Sequence, residues 1–296
     1  MINWKYLKIQ LKSSYLIILI FMMFFLLLNL ITFVFFAEKA FASYNLHHDY
    51  VYPGGHGSSS SSRNGAWSVA PIVMFGLVGW LTISVFAITL VIKTMKSEIN
   101  NGNISSWLTL PMSRTTILLT KYLFFIFSVL MIVSFNFILE LIITKATYTD
   151  FSGKNALALF ELNLGQLFLF LLMISIASFF ALIIEKTSVY LLVMAVIFLW
   201  FFIFSAMSYM NFMMDTNKYA FAKYLTIYSL TDLTTKSSEL PSINLGEGWS
   251  RVYDDHVTVI NSNDANIAWK FILLILFTSG FSSGTWYFFK NKNLNV

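Results

Sequence analysis

Residues 15–36 read YLIILIFMMFFLLLNLITFVFF. No charged side chain interrupts this run, and about 20 apolar residues in a helix cross the roughly 30 Å hydrocarbon core of a bilayer. Three lysines (Lys5, Lys8 and Lys12) precede it, as in a secretory signal. The apolar run is too long for the core of such a signal, however, and no small-residue cleavage site follows cleanly, so it reads as a transmembrane span. Five further stretches meet the same criterion: 70–92, 116–143, 164–184, 189–209 and 268–289. The composition agrees. Of 296 residues, 57% are hydrophobic and 11% charged, whereas soluble domains carry about 25% charged residues. Disorder requires the opposite balance. With no Cys there is no disulfide framework, thiolate metal site or Cys nucleophile. The expected fold is an all-α integral membrane protein, a single six-span transmembrane domain over 1–296.

Charge placement orients it. An even number of spans puts both termini on one side, together with Lys5, Lys8, Lys12, Lys93, Lys96, Arg114, Lys121, Lys186, Lys290 and Lys292. Two acids, Glu98 and Glu185, share that side, while the other holds 12 of the 14 acids. Bases near span ends favour the cytoplasm, so both termini are expected inside the cell membrane. The net charge of +5 then reflects topology, and nothing points to nucleic acid.

Between the spans, the segment MINWKYLKIQLK is amphipathic at helical spacing, with Trp4, Leu7 and Leu11 on one stripe and Lys5, Lys8 and Lys12 on the next. Residues 1–14 can form an interfacial helix lying in the headgroup region. They can equally be a basic flank that orients the first span. The external loop 37–69 is Gly/Ser-rich, a composition that predicts mobility. The larger external loop 210–267 contains an apolar stretch, 224–230, that reads as a short helix on the membrane. The internal loop 93–115 is the most informative. It runs KTMKSEINNGNISSWLTLPMSRT, and an apolar cluster (Ile104, Trp107, Leu108 and Leu110) beside a membrane needs a partner. Ser113 is placed to cap the helix starting near Arg114.

Glu98, Gly102, the run Leu-x-Leu-Pro-x-Ser-Arg at 108–114 and Lys121 at the head of the next span resemble permease subunits of type-2 ATP-binding-cassette exporters. The Lys-Asn-Lys-Asn-Leu ending at 290–294 and the six-span layout are similar to that family too. The resemblance implies that loop 93–115 forms a cytoplasmic coupling helix docked on a separate ATPase subunit, which binds ATP and Mg. By position Glu98, Gly102, Leu108, Pro111 and Arg114, with Trp107 among them, belong to that element. It also implies a second permease, identical or related, and a path between the two lined by spans two and five. The first external loop is longer than the family pattern. The chain has no G-x-x-x-x-G-K-[ST] phosphate loop, so no catalytic residue and no cofactor is expected in it. Aromatic, Met-rich spans suit an amphipathic peptide, antimicrobial or lipid-like cargo. The reading from another class is a non-transporting membrane sensor or immunity protein, with ligand-binding external loops.

Other residues are weaker candidates. Glu140 is the one acid well inside an apolar run, either a substrate or proton contact or an acid snorkelling from the nearby end of span three, and its position favours the latter. Gly280 and Gly284, with Ser279 and Ser283, would let another helix approach closely, within the chain first and between subunits second. His47, His48, Asp49 and His56 are metal-ligating types, but their Gly/Ser-rich setting offers no preorganisation, so no metal site is expected. No span carries H-E-x-x-H.

Overall fold

The computed structural model describes residues 3–35, 74–100, 113–147, 153–213, 220–231 and 266–291, with short strands between 45 and 58 and between 234 and 260. Among the described residues there are six long helices: α1 (Trp4–Leu30, extended by a π-helical turn, Ile31–Phe35), α2 (Leu77–Val91, continued through π-helical Ile92–Lys96 into a last turn, Ser97–Asn100), α3 (Arg114–Thr147), α4 (Gly153–Ile183), α5 (Thr187–Met213) and α6 (Asn266–Asn291). All six contain a stretch long and apolar enough to cross a membrane. Helices are the only open-chain solution there, because hydrocarbon offers no partner for a backbone N–H or C=O. Apolarity marks only the part in lipid, so several helices outrun their expected spans. α3 has 34 residues, about 50 Å at 1.5 Å per residue, well beyond the hydrocarbon core.

The amphipathic N-terminal segment is helical, as its spacing predicts, but it passes into span one without a break. The Asn3 side chain caps it, accepting from the Tyr6 N–H at 3.1 Å. The anticipated stripe does not stay together: Leu7 is buried and Leu11 half-buried, while Trp4 faces outward with Lys5, Lys8 and Lys12. The face that turns inward is Tyr6, Leu7 and Gln10, packed on protein.

α4 is the centre of the bundle, touching α2, α3 and α6, with α1 laid along α3 and α5 along α2. Phe86 of α2 links its neighbours, meeting Phe21 of α1 edge-on at 5.0 Å and Phe170 of α4 at 5.5 Å. Lipid tails are as apolar as these side chains, so close packing and interhelical hydrogen bonds, not water exclusion, hold the helices together. Large apolar residues such as Leu16, Met23 and Leu27 on α1 and Leu192, Val196 and Leu199 on α5 point outward.

At the end away from the termini, two 3-10 helices (Ala220–Leu225 and Ile227–Thr231) replace the single membrane-surface helix expected at 224–230. Tyr224 faces outward, but Tyr228 is buried and stacks on Trp80 of α2 at 5.0 Å, with the rings 9° from parallel. Trp80 Nε1 donates to Thr231 Oγ1 at 3.0 Å, and Ser84 Oγ lies 2.5 Å from the Tyr228 hydroxyl. Burial raises the pKa of that phenol, an effect the Ser84 bond opposes. The polar edges of an aromatic run can thus be satisfied inside the bundle, which removes the reason to stay at its surface. Just before α2, the Met74 carbonyl accepts from Gln166 Nε2 at 2.9 Å and lies 1.8 Å from where a Cβ on Gly79 would stand. Only glycine admits that approach.

Short antiparallel ladders decorate the loops. They pair β1 (Asn45–Leu46) with β7 (Tyr253–Asp254), β2 (Asp49–Tyr52) with β3 (Gly55–Ser58), β4 (Thr234–Ser237) with β8 (Val257–Ile260), and β5 (Ile243–Asn244) with β6 (Ser250–Arg251). The β1–β7 pairing joins the first long loop to the last. His47 and His48 lie outside the described residues.

Candidate functional site

Three helix ends converge at the side of the bundle that carries the termini, and Glu98 is their meeting point. α2 delivers it through the π-helical turn, where the N–H of Ser97 bonds back to the Ile92 carbonyl. Its carboxylate accepts from Lys121 Nζ of α3 at 2.5 Å, from Gln10 Nε2 of α1 at 2.6 Å and from the Tyr6 hydroxyl at 3.2 Å. Gln10 also donates to the Tyr6 hydroxyl at 3.0 Å, so the α1 partners are held in place by each other. Lys121 bonds the Thr94 carbonyl as well. Only 3% of the Lys121 side chain and 13% of the Glu98 side chain reach the surface. An ion pair this dry depends on its extra hydrogen bonds, and losing either member leaves an uncompensated charge.

Neighbouring cations fasten the other helices. The buried Lys96 Nζ donates to the Ile184 carbonyl at the end of α4. Arg114 Nη1 donates to the Lys290 carbonyl of α6 at 3.3 Å. Ser113 caps α3, its Oγ accepting from the Thr116 N–H at 3.2 Å. Glu98 and Arg114 therefore bracket the segment 101–112 from two anchored helix ends. Gly102, Trp107, Leu108 and Pro111 lie outside the described residues.

A second polar cluster lies deep in the bundle. Glu140 is fully buried, not an acid snorkelling to the interface. Its carboxylate accepts from Asn136 Nδ2 at 2.7 Å and from Asn163 Nδ2 of α4. Asn136 Nδ2 also donates to Asn163 Oδ1 at 3.2 Å, and Asn29 Nδ2 of α1 donates to Asn136 Oδ1 at 2.6 Å. Amide donors on both carboxylate oxygens replace the water that an acid needs, so Glu140 has no cause to reach for the surface.

Compared with known families, residues 73–244 match the one described as ABC-2 family transporter protein. The chain belongs to the ABC-2 transporter family. A search of curated proteins found no match. This ABC-2 chain is thus a multi-pass membrane component of an ABC transporter system, a family whose membrane subunits are not themselves catalytic. The match begins at the entrance to α2 and ends in the last long loop, so it includes Glu98, Lys121, Arg114 and Glu140 but not the α1 partners Tyr6, Gln10 and Asn29.

The two glycines of α6 in this ABC-2 transporter behave differently. A Cβ on Gly284 would stand 2.9 Å from the Phe179 ring of α4, so the glycine permits a close approach within the chain. Nothing lies within 4 Å of a Cβ on Gly280. Sequence reasoning missed Tyr6, Gln10, Asn29, Asn136 and Asn163. A signal existed for the asparagines, since a lone amide in an apolar span needs an interhelical partner.

Proposed function

We propose that this chain is the permease subunit of an ABC exporter in the cell membrane, with both termini and loop 93–115 in the cytoplasm. A separate ATPase subunit binds ATP and Mg, and its closure pushes on a coupling element made of Glu98, Gly102, Trp107, Leu108, Pro111 and Arg114. The observation that carries the reading is the convergence of α1, α2 and α3 on Glu98. A force on the segment that follows Glu98 passes directly to three helices, which is what a two-state coupling element requires. A second permease, identical or related, completes the path, with α2 and α5 facing it. In favour of this, the α2 residues Val78, Leu81 and Val85 form a narrow outward stripe on an otherwise buried helix. Glu140 contacts cargo only in a state that parts α1 from α3 and α4. An amphipathic peptide, antimicrobial or lipid-like cargo fits these walls.

The test is co-purification of the cell's ABC ATPase with the tagged full chain. Replacing Trp107 and Leu108 with Ala is expected to abolish it while membrane insertion is unchanged. Retention of the ATPase by that variant overturns the coupling assignment. Absence of any ATPase from the wild-type preparation overturns the exporter reading and favours the sensor.

A further inference from the structure

On the outside of the bundle α3 and α6 leave a groove of about 280 Å³ between them, lined by Leu118, Leu119, Tyr122, Ser282, Ser283 and Trp286. Leu119 and Trp286 are exposed, so the groove opens toward whatever surrounds the spans. Residues four apart on a helix share a face. Arg114 is therefore one turn beyond Leu118, and Lys290 one turn beyond Trp286, both toward the end that carries the termini. Their positions are tied together: Arg114 Nη1 donates to the Lys290 carbonyl, while Lys290 Nζ stands 5.2 Å from the centre of the Trp286 ring. Arg114 is also the first residue of α3, where the helix dipole adds to the positive field. Ser282 Oγ is already paired with Ser175 Oγ of α4 at 3.1 Å, which leaves the slot largely apolar. Beside it Trp286 and Tyr287, both exposed, are the residue types that mark the headgroup level of a bilayer.

An apolar slot facing lipid and ending in two cations at headgroup depth matches one kind of molecule. We propose that this groove binds an anionic phospholipid from the leaflet on the side of the termini. One acyl chain lies along Leu118, Leu119, Tyr122 and Trp286, and the phosphate sits between Arg114 and Lys290. Basic pockets between helices favour anionic headgroups. A phosphatidylcholine offers the same chain, but its own ammonium cancels the charge. The inference rests on the membrane-spanning fold and not on ATPase coupling.

Native mass spectrometry of the full chain in mild detergent tests it, with palmitoyl-oleoyl phosphatidylglycerol and the matching phosphatidylcholine added in separate titrations. The wild type is expected to retain one phosphatidylglycerol in preference to phosphatidylcholine. A cation near the headgroup is worth about fivefold in affinity, so Lys290→Gln should weaken phosphatidylglycerol retention by about that factor and leave phosphatidylcholine unchanged. Ser283→Phe fills the slot and should reduce retention of both lipids. Equal retention of the two lipids by the wild type, or undiminished phosphatidylglycerol retention by Lys290→Gln, overturns the proposal. Undiminished retention by a folded Ser283→Phe overturns the placement of the acyl chain. If that variant fails to fold, the comparison of lipids and Lys290→Gln still decides.

Discussion

Replacing Glu98 with Gln preserves shape but removes the charge at which three helices meet. Its carboxylate accepts three side-chain bonds, at 2.5, 2.6 and 3.2 Å. The substituted amide has one oxygen for those donors and turns its own NH₂ toward another. The larger loss is at Lys121, 97% hidden and left without its counter-charge. Breaking a buried pair by removing one partner costs about 3–5 kcal/mol. The partial exposure of Glu98 argues for the lower end, so Glu98→Gln is expected to destabilise by about 3 kcal/mol. Lys121→Met leaves Glu98 with its Tyr6 and Gln10 donors and should cost about 1–2 kcal/mol. The double variant removes both charges and should cost at least about 2 kcal/mol less than the sum of the singles. Equilibrium unfolding by SDS in mixed micelles, followed by tryptophan fluorescence, measures all three. Additivity within about 0.5 kcal/mol would refute the reasoning, because independent sites add and coupled ones do not.

Four further substitutions probe the rest of the bundle, three by the same unfolding assay and the last by the yield of folded protein. Glu140→Leu strands the Asn136 and Asn163 amides and is expected to cost about 1–3 kcal/mol, with a change of under half that counting against a structural tie. Gly284→Val should cost about 1–3 kcal/mol by overpacking against Phe179, while Gly280→Ala, in open space, should be neutral or slightly stabilising. Equal effects at the two glycines would contradict the packing. Gly79→Ala drives a methyl into the Met74 carbonyl and should sharply lower the yield of folded protein; normal yield would show that the entrance to α2 can relax.

The span count was readable because the apolar runs are long and lipid permits no alternative backbone. Ser113 was readable too, as a short polar side chain immediately before a helix. Glu98 could be singled out by its place in an unusual loop, but its partners could not. Tyr6 and Gln10 sit in a segment whose lysines and tryptophan read as a membrane-surface helix, and its inward face is set by contact with α3. Glu140 was misplaced for a related reason. Distance along the helix from the end of an apolar run gives depth in the membrane, and it says nothing about neighbours across the bundle.

What the amino-acid order determined by itself is the number of membrane-crossing helices, because hydropathy is a property of each segment. What only the tertiary structure decided is which polar groups find each other. Lys121 and Glu98 are 23 residues apart, Tyr6 and Glu98 are 92 apart, and Asn29 and Asn136 are 107 apart. No local pattern encodes those distances. A polar group in a membrane is tolerated only when a partner arrives from another helix, so its meaning is fixed when the helices pack.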